Sequence, residues 1–297
     1  MSHGRRILIV GGAGQVGKEL GRSFADAGEI VSVDRETIDL AEPAQVRDLV
    51  RRLRPEIILN AAAYTAVDRA EAEPGLAMAI NAEAPRVLAE EAHTLNAVLV
   101  HYSTDYVFDG SKQGAWSESD PPHPLNVYGA TKLAGEKAIR QAGGRFLIFR
   151  TSWVYGPHGN NFLLTMLRLG RERDRINVVD DQFGAPTTSI ELANATRAIV
   201  EGVLAERFGG PAAWAGLYHM TCSGSTSWSG FAQAIFARAG HLLNGRLPQV
   251  NAIPTAGYPT PAQRPQNSVL SNALLERRFG IRLPAWERAL DAVIGRI

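Results

Sequence analysis

Short apolar runs alternate with amphipathic stretches through the first half of the chain. The apolar runs are rich in Ile, Val and Leu and predict strands at Ile7–Val10, Ile30–Asp34, Ile57–Asn60, Val98–Ser103 and Phe146–Arg150. Apolar residues recur every three or four positions between these runs, which predicts helices at Val16–Ala27, Pro43–Leu53, Ala82–Asn96 and Tyr128–Gln141. Strands that alternate with helices favour a parallel sheet with helices on both faces. We therefore predict the α/β class, with a doubly wound parallel sheet.

The alternation ends after Arg150, where glycine and proline begin to cluster. Helical periodicity continues at Phe162–Arg173, Ile190–Glu206, Trp228–Ala239 and Leu283–Ile297. We predict that residues 1–152 form the sheet domain, rejoined by parts of 176–225. Residues 153–297 are predicted to form mainly a smaller C-terminal substrate lobe that is interleaved with the last strands of the sheet.

Composition narrows the classes of partner. The chain has 297 residues, of which 45% are hydrophobic, and a formal net charge of +1. Such a balance argues against binding to nucleic acid or to a membrane surface, and no apolar run is long enough to span a bilayer. Segment Met1–Arg6 lacks the apolar core and cleavage site of a signal peptide, and Cys222 has no second cysteine to pair with. We expect a cytoplasmic protein, and the spacing of the histidines assigns no metal.

A glycine-rich turn follows the first predicted strand and opens the first predicted helix. Its sequence is Gly11-Gly-Ala-Gly14-Gln15-Val16-Gly17. Glycines at this spacing permit a tight turn and a close approach of backbone N–H groups to a pyrophosphate at the helix N-terminus. A P-loop is rejected, because Glu19 stands where that motif needs a magnesium-binding hydroxyl. The turn predicts a Rossmann-type dinucleotide-binding domain over residues 1–152.

Residues after the next strands complete the predicted cofactor site. Asp34 suits the 2′-hydroxyl of a ribose and favours NADH, whereas the adjacent Arg35 could pair with a 2′-phosphate, so NADPH stays open. Asp39 and Leu40 could flank the adenine. The small residues that end the third strand allow the nicotinamide ribose or a phosphate to approach, although tight packing explains the alanines equally well. The further cofactor candidates are Ala62, Ala63, Tyr64, Tyr102, Tyr128 and Lys132.

Tyr128 and Lys132 lie four residues apart, so a helix places them on one face. A free tyrosine has a pKa near ~10, and a neighbouring ammonium favours the phenolate and lowers that pKa. Ser103 and Thr104 could bring hydroxyls to the same oxygen from the end of the fourth strand. Together with the glycine turn, this group predicts hydride transfer between a nicotinamide cofactor and a carbonyl.

These residues resemble the extended short-chain dehydrogenase/reductase family, and within it the reductases of dTDP-4-keto-6-deoxy sugars. The resemblance covers nearly the whole chain, and its specific segments include Asn60–Asp68, His101–Phe108, Pro124–Gly129, Asp181–Thr187 and Arg264–Ser268. It implies reduction of the C4 ketone of dTDP-4-dehydro-6-deoxy-L-mannose to dTDP-L-rhamnose, with NADPH or NADH as the cofactor. A dTDP-sugar is then the expected partner, and a homodimer stays open.

The resemblance also implies roles for single residues. Tyr128 gives the new alkoxide its proton, Lys132 lowers the pKa of Tyr128 and bonds the nicotinamide ribose, and Thr104 holds the carbonyl oxygen. Asp105 and Trp153 are expected to contact the sugar, and Asn161 and Arg264 are expected to contact the diphosphate.

Two alternatives remain. The first is a nucleotide-sugar epimerase or dehydratase of the same fold, although dehydratases typically carry Asp-Glu after the catalytic threonine and this chain has Asp105-Tyr106. The second is a non-catalytic regulatory subunit, which the intact Thr104, Tyr128 and Lys132 oppose. His101 lies in an apolar strand and is expected to be structural.

Overall fold

The computed structural model describes residues 4–243, 245 and 247–297. The expectation that the chain has no signal peptide was based on Met1–Arg6, and residues 1–3 of that segment lie outside the described range. The strands are β1 Arg6–Val10, β2 Glu29–Val33, β3 Ile57–Asn60, β4 Val98–Thr104, β5 Arg145–Thr151, β6 Val154–Tyr155, β7 Arg175–Val179, β8 Phe183–Gly184, β9 Thr187–Thr188, β10 Gly216–His219, β11 Thr226–Ser227 and β12 Gln249–Ile253. The α-helices are α1 Gln15–Ser23, α2 Pro43–Leu53, α3 Val67–Ala70, α4 Pro74–Met78, α5 Ala84–Leu95, α6 Val127–Ala142, α7 Phe162–Glu172, α8 Ser189–Leu204, α9 Pro211–Trp214, α10 Trp228–Arg238, α11 Ala273–Phe279 and α12 Trp286–Ile294. A π-helical turn spans Ala79–Glu83, and 3₁₀ turns span Asp105–Val107, Gly240–Leu243 and Thr255–Gly257.

A six-stranded parallel sheet has the order β10-β5-β4-β3-β1-β2. Its strands alternate side chains between two apolar cores: Ile7 and Ile9 of β1 enter one, and Leu8 and Val10 enter the other. This arrangement explains the continuous apolar runs, because each face of the sheet is covered by helices. The predicted fold class is confirmed. The carboxyl ends of β1, β3 and β4 lie side by side at one edge, where ligands of such sheets bind.

The second half of the chain builds small sheets beside this one. Strand β7 pairs with β12 in parallel, β6 pairs with β9 in parallel, and β8 pairs with β11 in antiparallel orientation. Residues 216–219 return to the main sheet as β10, next to β5. The division at residue 152 into a sheet domain and a substrate lobe stays a prediction.

Helix boundaries differ from the predicted ones where local chemistry interrupts the periodicity. The stretch Ala82–Asn96 begins inside the π-helical turn, and α5 itself starts at Ala84. The stretch Leu283–Ile297 becomes helical only at Trp286. Pro284 precedes that helix, and a proline has no N–H to donate and fits only the first turn of a helix.

Candidate active site

The glycine turn after β1 is packed too closely for side chains. Gly11 has φ +86°, and a Cβ there would lie 2.7 Å from the backbone nitrogen of Ala62. A Cβ on Gly17 would overlap the carbonyl oxygen of Gly11. Gly14 caps helix α1 and, as a glycine, offers no side chain to the N–H groups of the first turn. The open N–H groups and the bare backbone therefore fit a dinucleotide pyrophosphate.

The loop after β2 holds the candidates for the adenosine end of the cofactor. Asp34 Oδ1 accepts the N–H of Glu36 at 3.0 Å, which fixes the carboxylate in a tight turn. Asp39 acts in the same way on Ala41 at 2.9 Å, and Arg35 is exposed. Because β2 lies beside β1, this loop shares the edge of the sheet with the glycine turn.

A buried asparagine holds the loop after β3, which carries Ala62, Ala63 and Tyr64. Asn81 Oδ1 accepts the N–H of Tyr64 at 2.8 Å, and Asn81 Nδ2 donates to the Tyr64 carbonyl and to Thr131 of α6, each at 3.1 Å. Asn81 lies in the π-helical turn and has no exposed surface. The loop is thus fixed to the helix that carries Tyr128. Sequence reasoning missed Asn81, and an interruption of the helical period was its only signal.

Helix α6 brings Tyr128 to the end of β4. Asn126 caps the helix by accepting the N–H of Gly129 at 2.8 Å. A Cβ on Gly129 would overlap the carbonyl oxygen of Tyr106, so this glycine lets α6 approach the residues that follow β4. The Thr104 side chain is close enough to the Tyr128 hydroxyl to lower the pKa of Tyr128 through a hydrogen bond. The Tyr128 ring meets the edge of Tyr106 at a centroid distance of 5.8 Å. The structure therefore brings Thr104 and Tyr128 together, as expected from the sequence.

Burial shifts the pKa values of both Tyr128 and Lys132. Burial raises the pKa of Tyr128 to about 12, the Thr104 hydroxyl opposes this shift, and the Asp105 carboxylate adds to it. Burial lowers the pKa of Lys132 to about 8. Lys132 Nζ donates to the backbone carbonyl of Tyr102 at 2.6 Å. Burial, Thr104 and Asp105 are the causes that shift the pKa of Tyr128, and Lys132 is not among them. The expectation that Lys132 lowers the pKa of Tyr128 stays a prediction.

Polar residues beneath the site hold Lys132 and the end of β4. His101 is fully buried, its Nε2 lies 3.2 Å from Lys132 Nζ, and its Nδ1 lies 2.9 Å from Asn60 Nδ2. Burial and then Lys132 hold the pKa of His101 well below its usual range, so the ring is neutral. Glu136, one turn after Lys132, accepts the Ser103 hydroxyl and a bidentate pair from Arg150 at 2.8 and 2.6 Å. His101 is structural as expected, and its contact with Lys132 is a finding of the tertiary structure.

Trp153 adopts a strained conformation beside the site. Its φ is +48°, which is unusual for a bulky residue and is typical of functional positions. Its ring stacks on Trp228 at a centroid distance of 3.5 Å, and a Cβ on Gly184 would overlap it. The indole is thus held flat by α10 on one side and by a glycine of β8 on the other.

Asn161 and Arg264 already have protein partners. Asn161 caps α7 by accepting the N–H of Leu164 at 3.0 Å, and its Nδ2 donates to Gln15 Oε1 at 2.9 Å. Asn161 thus joins the second half of the chain to the glycine turn. Arg264 forms a bidentate pair with Asp68 at 3.1 and 2.8 Å and lines an open cavity of about 550 Å³. The sequence places Asp68 at the end of the segment Asn60–Asp68 but does not indicate its pairing with Arg264.

Within the described residues, no group of three or more His, Cys, Asp or Glu side chains could hold a metal ion. A helix long and apolar enough to cross a membrane is also absent from that part of the chain.

A glycine turn and a Tyr–Lys pair that meet at the carboxyl edge of a parallel sheet define the class: an NAD(P)-dependent oxidoreductase with the extended short-chain dehydrogenase/reductase fold. The UDP-glucose 4-epimerase of Thermus thermophilus, solved with NAD, shares that fold with a TM-score of 0.76 and 20% identity over 98% of each chain.

Closer similarities give the family. The RmlD substrate binding domain family matches residues 5–297. The chain is 47% identical to dTDP-4-dehydrorhamnose reductase of Burkholderia thailandensis over 97% of this chain and 98% of that one. The crystal structure of dTDP-4-dehydrorhamnose reductase from Bacillus anthracis in complex with NADP has a TM-score of 0.90 and 35% identity over 99% of each chain. The chain therefore belongs to the dTDP-4-dehydrorhamnose reductase family.

Proposed function

We propose that the chain catalyses the NAD(P)H-dependent reduction of the C4 ketone of dTDP-4-dehydro-6-deoxy-L-mannose, giving dTDP-L-rhamnose. The observation that carries this proposal is the placement of Tyr128 against Thr104, at the same edge of the sheet as the glycine turn. The sugar nucleotide itself is inferred from the family, whose relatives carry that activity in their names.

The cofactor is proposed to lie along the edge of the sheet. Its pyrophosphate would meet the N–H groups at the start of α1, and its adenosine would reach the loop after β2. Its nicotinamide ribose would lie near Lys132 and the loop after β3. Bound NAD(P)H supplies the hydride. The further proposed contacts are Gly11, Gly14, Gln15, Val16, Gly17, Asp34, Arg35, Asp39, Leu40, Ala62, Ala63, Tyr64 and Tyr102.

Tyr128 acts as the general acid in this proposal. Reduction of a ketone requires a donor that still carries its proton, and the raised pKa of Tyr128, about 12, keeps the phenol protonated at neutral pH. Thr104 holds the ketone oxygen beside it. Lys132 helps to position the site. It lies one turn after Tyr128 on α6, and its ammonium is fixed by a hydrogen bond to the Tyr102 carbonyl.

Substrate contacts are proposed for the residues around this pair. Trp153 presents a rigid indole to the C6 methyl group of the sugar, and Asp105 lies next to Thr104. Arg264 would need to exchange Asp68 for the diphosphate, since the carboxylate now occupies its planar fork. Asn161 would act mainly by fixing the loop that faces the glycine turn.

The test compares Tyr128→Phe with Tyr155→Phe. General acid catalysis contributes about 10²–10⁴-fold, so Tyr128→Phe should lose kcat by that factor while it still binds cofactor. Tyr155 is fully buried, and its hydroxyl has no partner among the described residues, so removing that oxygen should leave turnover near wild type.

The product identifies the reaction. Deuteride from labelled NADPH should appear at C4 of dTDP-L-rhamnose by mass spectrometry and NMR. Cofactor binding without label transfer to any dTDP-ketosugar would instead support a regulatory subunit. Deuterium that returns from the sugar to the cofactor, together with inversion of configuration at a carbon of the sugar, would support an epimerase.

A further inference from the structure

The hydroxyl of Thr104 has a defined set of partners. It donates to Asp105 Oδ1 at 3.0 Å and accepts the backbone N–H of Tyr106 at 3.1 Å. A threonine hydroxyl has one proton and two lone pairs. While its proton is directed at Asp105, the lone pair that remains accepts the proton of the neutral Tyr128 phenol. Donation from Thr104 to Tyr128, which is the interaction that lowers the pKa of Tyr128, requires the Thr104 proton to leave Asp105. The chain of hydrogen bonds thus runs from Tyr128 to Thr104 to Asp105, away from a ketone.

This direction opposes reduction. A ketone that is becoming an alkoxide needs donors, and an ionised Asp105 takes up the proton with which Thr104 would donate. If the Asp105 carboxyl carries a proton, the chain reverses. The carboxyl then donates to Thr104, and the protons of Thr104 and Tyr128 are both free for the ketone oxygen.

The surroundings of Asp105 favour such a change of state. The side chain is 3% exposed, and Oδ2 has no hydrogen-bond partner among the described residues. Tyr106 from its own turn and Tyr128 from α6 face it, and both are neutral phenols at working pH. Ser268 also lies close, but its hydroxyl donates to the Phe183 carbonyl at 3.3 Å. Burial consequently raises the pKa of Asp105 to about 6, and the nearby hydroxyls of Ser268 and Thr104 only partly oppose this shift.

The nearest cation that faces this turn, Arg264, does not offset the raised pKa of Asp105. Arg264 reaches Tyr106, and its charge is already paired with Asp68. Asp105 is thus a buried carboxyl with a raised pKa, and one hydroxyl, that of Thr104, lies between it and Tyr128.

We propose that Asp105 sets the direction of the Tyr128–Thr104–Asp105 chain, and that its protonated form is the one competent for reduction. The inference rests on the proposed role of Tyr128. When the Tyr128 proton moves to the new alkoxide, the phenolate takes the proton of Thr104, and Thr104 takes that of Asp105. The net change is one carboxylic acid converted to a carboxylate and one alkoxide to a hydroxyl. Water returns the proton to Asp105 after the product leaves.

The proposal makes opposite demands on the two directions of the reaction. Reduction should have a kcat that falls by about tenfold for each pH unit above the pKa of Asp105. Oxidation of dTDP-L-rhamnose with NADP⁺ needs the carboxylate as proton acceptor, so its kcat should rise through the same pKa. We call the falling kcat of reduction and the rising kcat of oxidation the two limbs of the pH profile. Both limbs are measured under saturating substrate between about pH 5 and 8.

Asp105→Asn is the decisive variant. Its amide donates to Thr104 at every pH, so both limbs should disappear while deuteride transfer persists. Asp48→Asn, at an exposed site on α2, is the matched control and should keep both limbs. A limb that persists in Asp105→Asn overturns the proposal, as does a folded Asp105→Asn that is inactive at every pH. If Asp105 only accepted a sugar hydroxyl, KM would rise with the pH profile unchanged, and that result also overturns it.

A second variant covers the case in which Asp105→Asn does not fold. Thr104→Val breaks the link, so its lower kcat should lack the limb near pH 6, and a retained limb contradicts the proposal. Tyr128→Phe separates this inference from the function. Near wild-type turnover in Tyr128→Phe would remove the proposed function, whereas an inactive Tyr128→Phe combined with an unchanged limb in Asp105→Asn removes only the role of Asp105.

Discussion

Arg150→Met should destabilise the protein strongly, because it strands a buried carboxylate beneath the active site. Glu136 and Arg150 are 2% and 3% exposed, and two N–O contacts of 2.8 and 2.6 Å join them. Removing one partner of a buried ion pair typically costs about 3–5 kcal/mol, since the charge left behind has neither water nor a counter-ion. Ser103 is the other hydrogen-bond partner of Glu136, and a hydroxyl does not compensate a full charge. Lys132 also attracts Glu136, but through charge alone, without a hydrogen bond to it among the described residues. We expect a loss of free energy of unfolding within that range.

Urea unfolding followed by circular dichroism and by tryptophan fluorescence measures the effect. Arg168→Met is the matched control, because Arg168 pairs with Glu172 at 3.1 Å with both side chains 50% or more exposed. An exposed pair of this kind is worth only about 0.3–0.5 kcal/mol. The double variant Arg150→Met/Glu136→Gln should recover much of the loss, since it leaves no unpaired charge. A loss in Arg150→Met that is no larger than in Arg168→Met would refute the reasoning.

Two further predictions concern the cofactor. Gly17→Ala should weaken binding of NADPH and NADH by more than about tenfold, because its Cβ overlaps the Gly11 carbonyl and opens the turn, whereas Gly21→Ala on the same helix meets nothing within 4 Å and should bind normally by fluorescence titration. Asp34→Ala should raise the KM for NADH more than that for NADPH, because only NADH has a free 2′-hydroxyl for the carboxylate to bond. Equal losses for both cofactors would show that Asp34 does not contact that position.

Much of the fold follows from local patterns. The five strands predicted in the first half lie within one residue of β1 to β5 at each end. The central strands β1 and β3 are buried on both faces and must therefore be largely apolar. The glycine turn could also be predicted from the sequence, because its positions require glycine. Gly11 has a positive φ, and a Cβ on Gly17 would overlap the Gly11 carbonyl oxygen. The four-residue spacing of Tyr128 and Lys132 placed both on one face of α6.

Contacts between distant segments could not be predicted in this way. Arg264 is held by Asp68, which lies 196 residues earlier in the chain, and Asn161 reaches Gln15 across 146 residues. Asn81 was missed because its importance depends on a loop and a helix that meet only in the folded protein. The periodicity of apolar residues predicts helices and strands, but it does not predict which distant residues come into contact.

The sequence by itself determined the parallel sheet, the glycine turn and the residues that we propose act on the reacting oxygen. Only the tertiary structure decided their protonation. Charge interactions in a protein depend on burial and on distance in space, and neither is a property of residue spacing. Lys132 thus lies where the sequence placed it, yet the pKa of Tyr128 is raised to about 12 by burial and by Asp105. The direction in which Thr104 donates was set in the same way, by the carboxylate that the fold buried next to it.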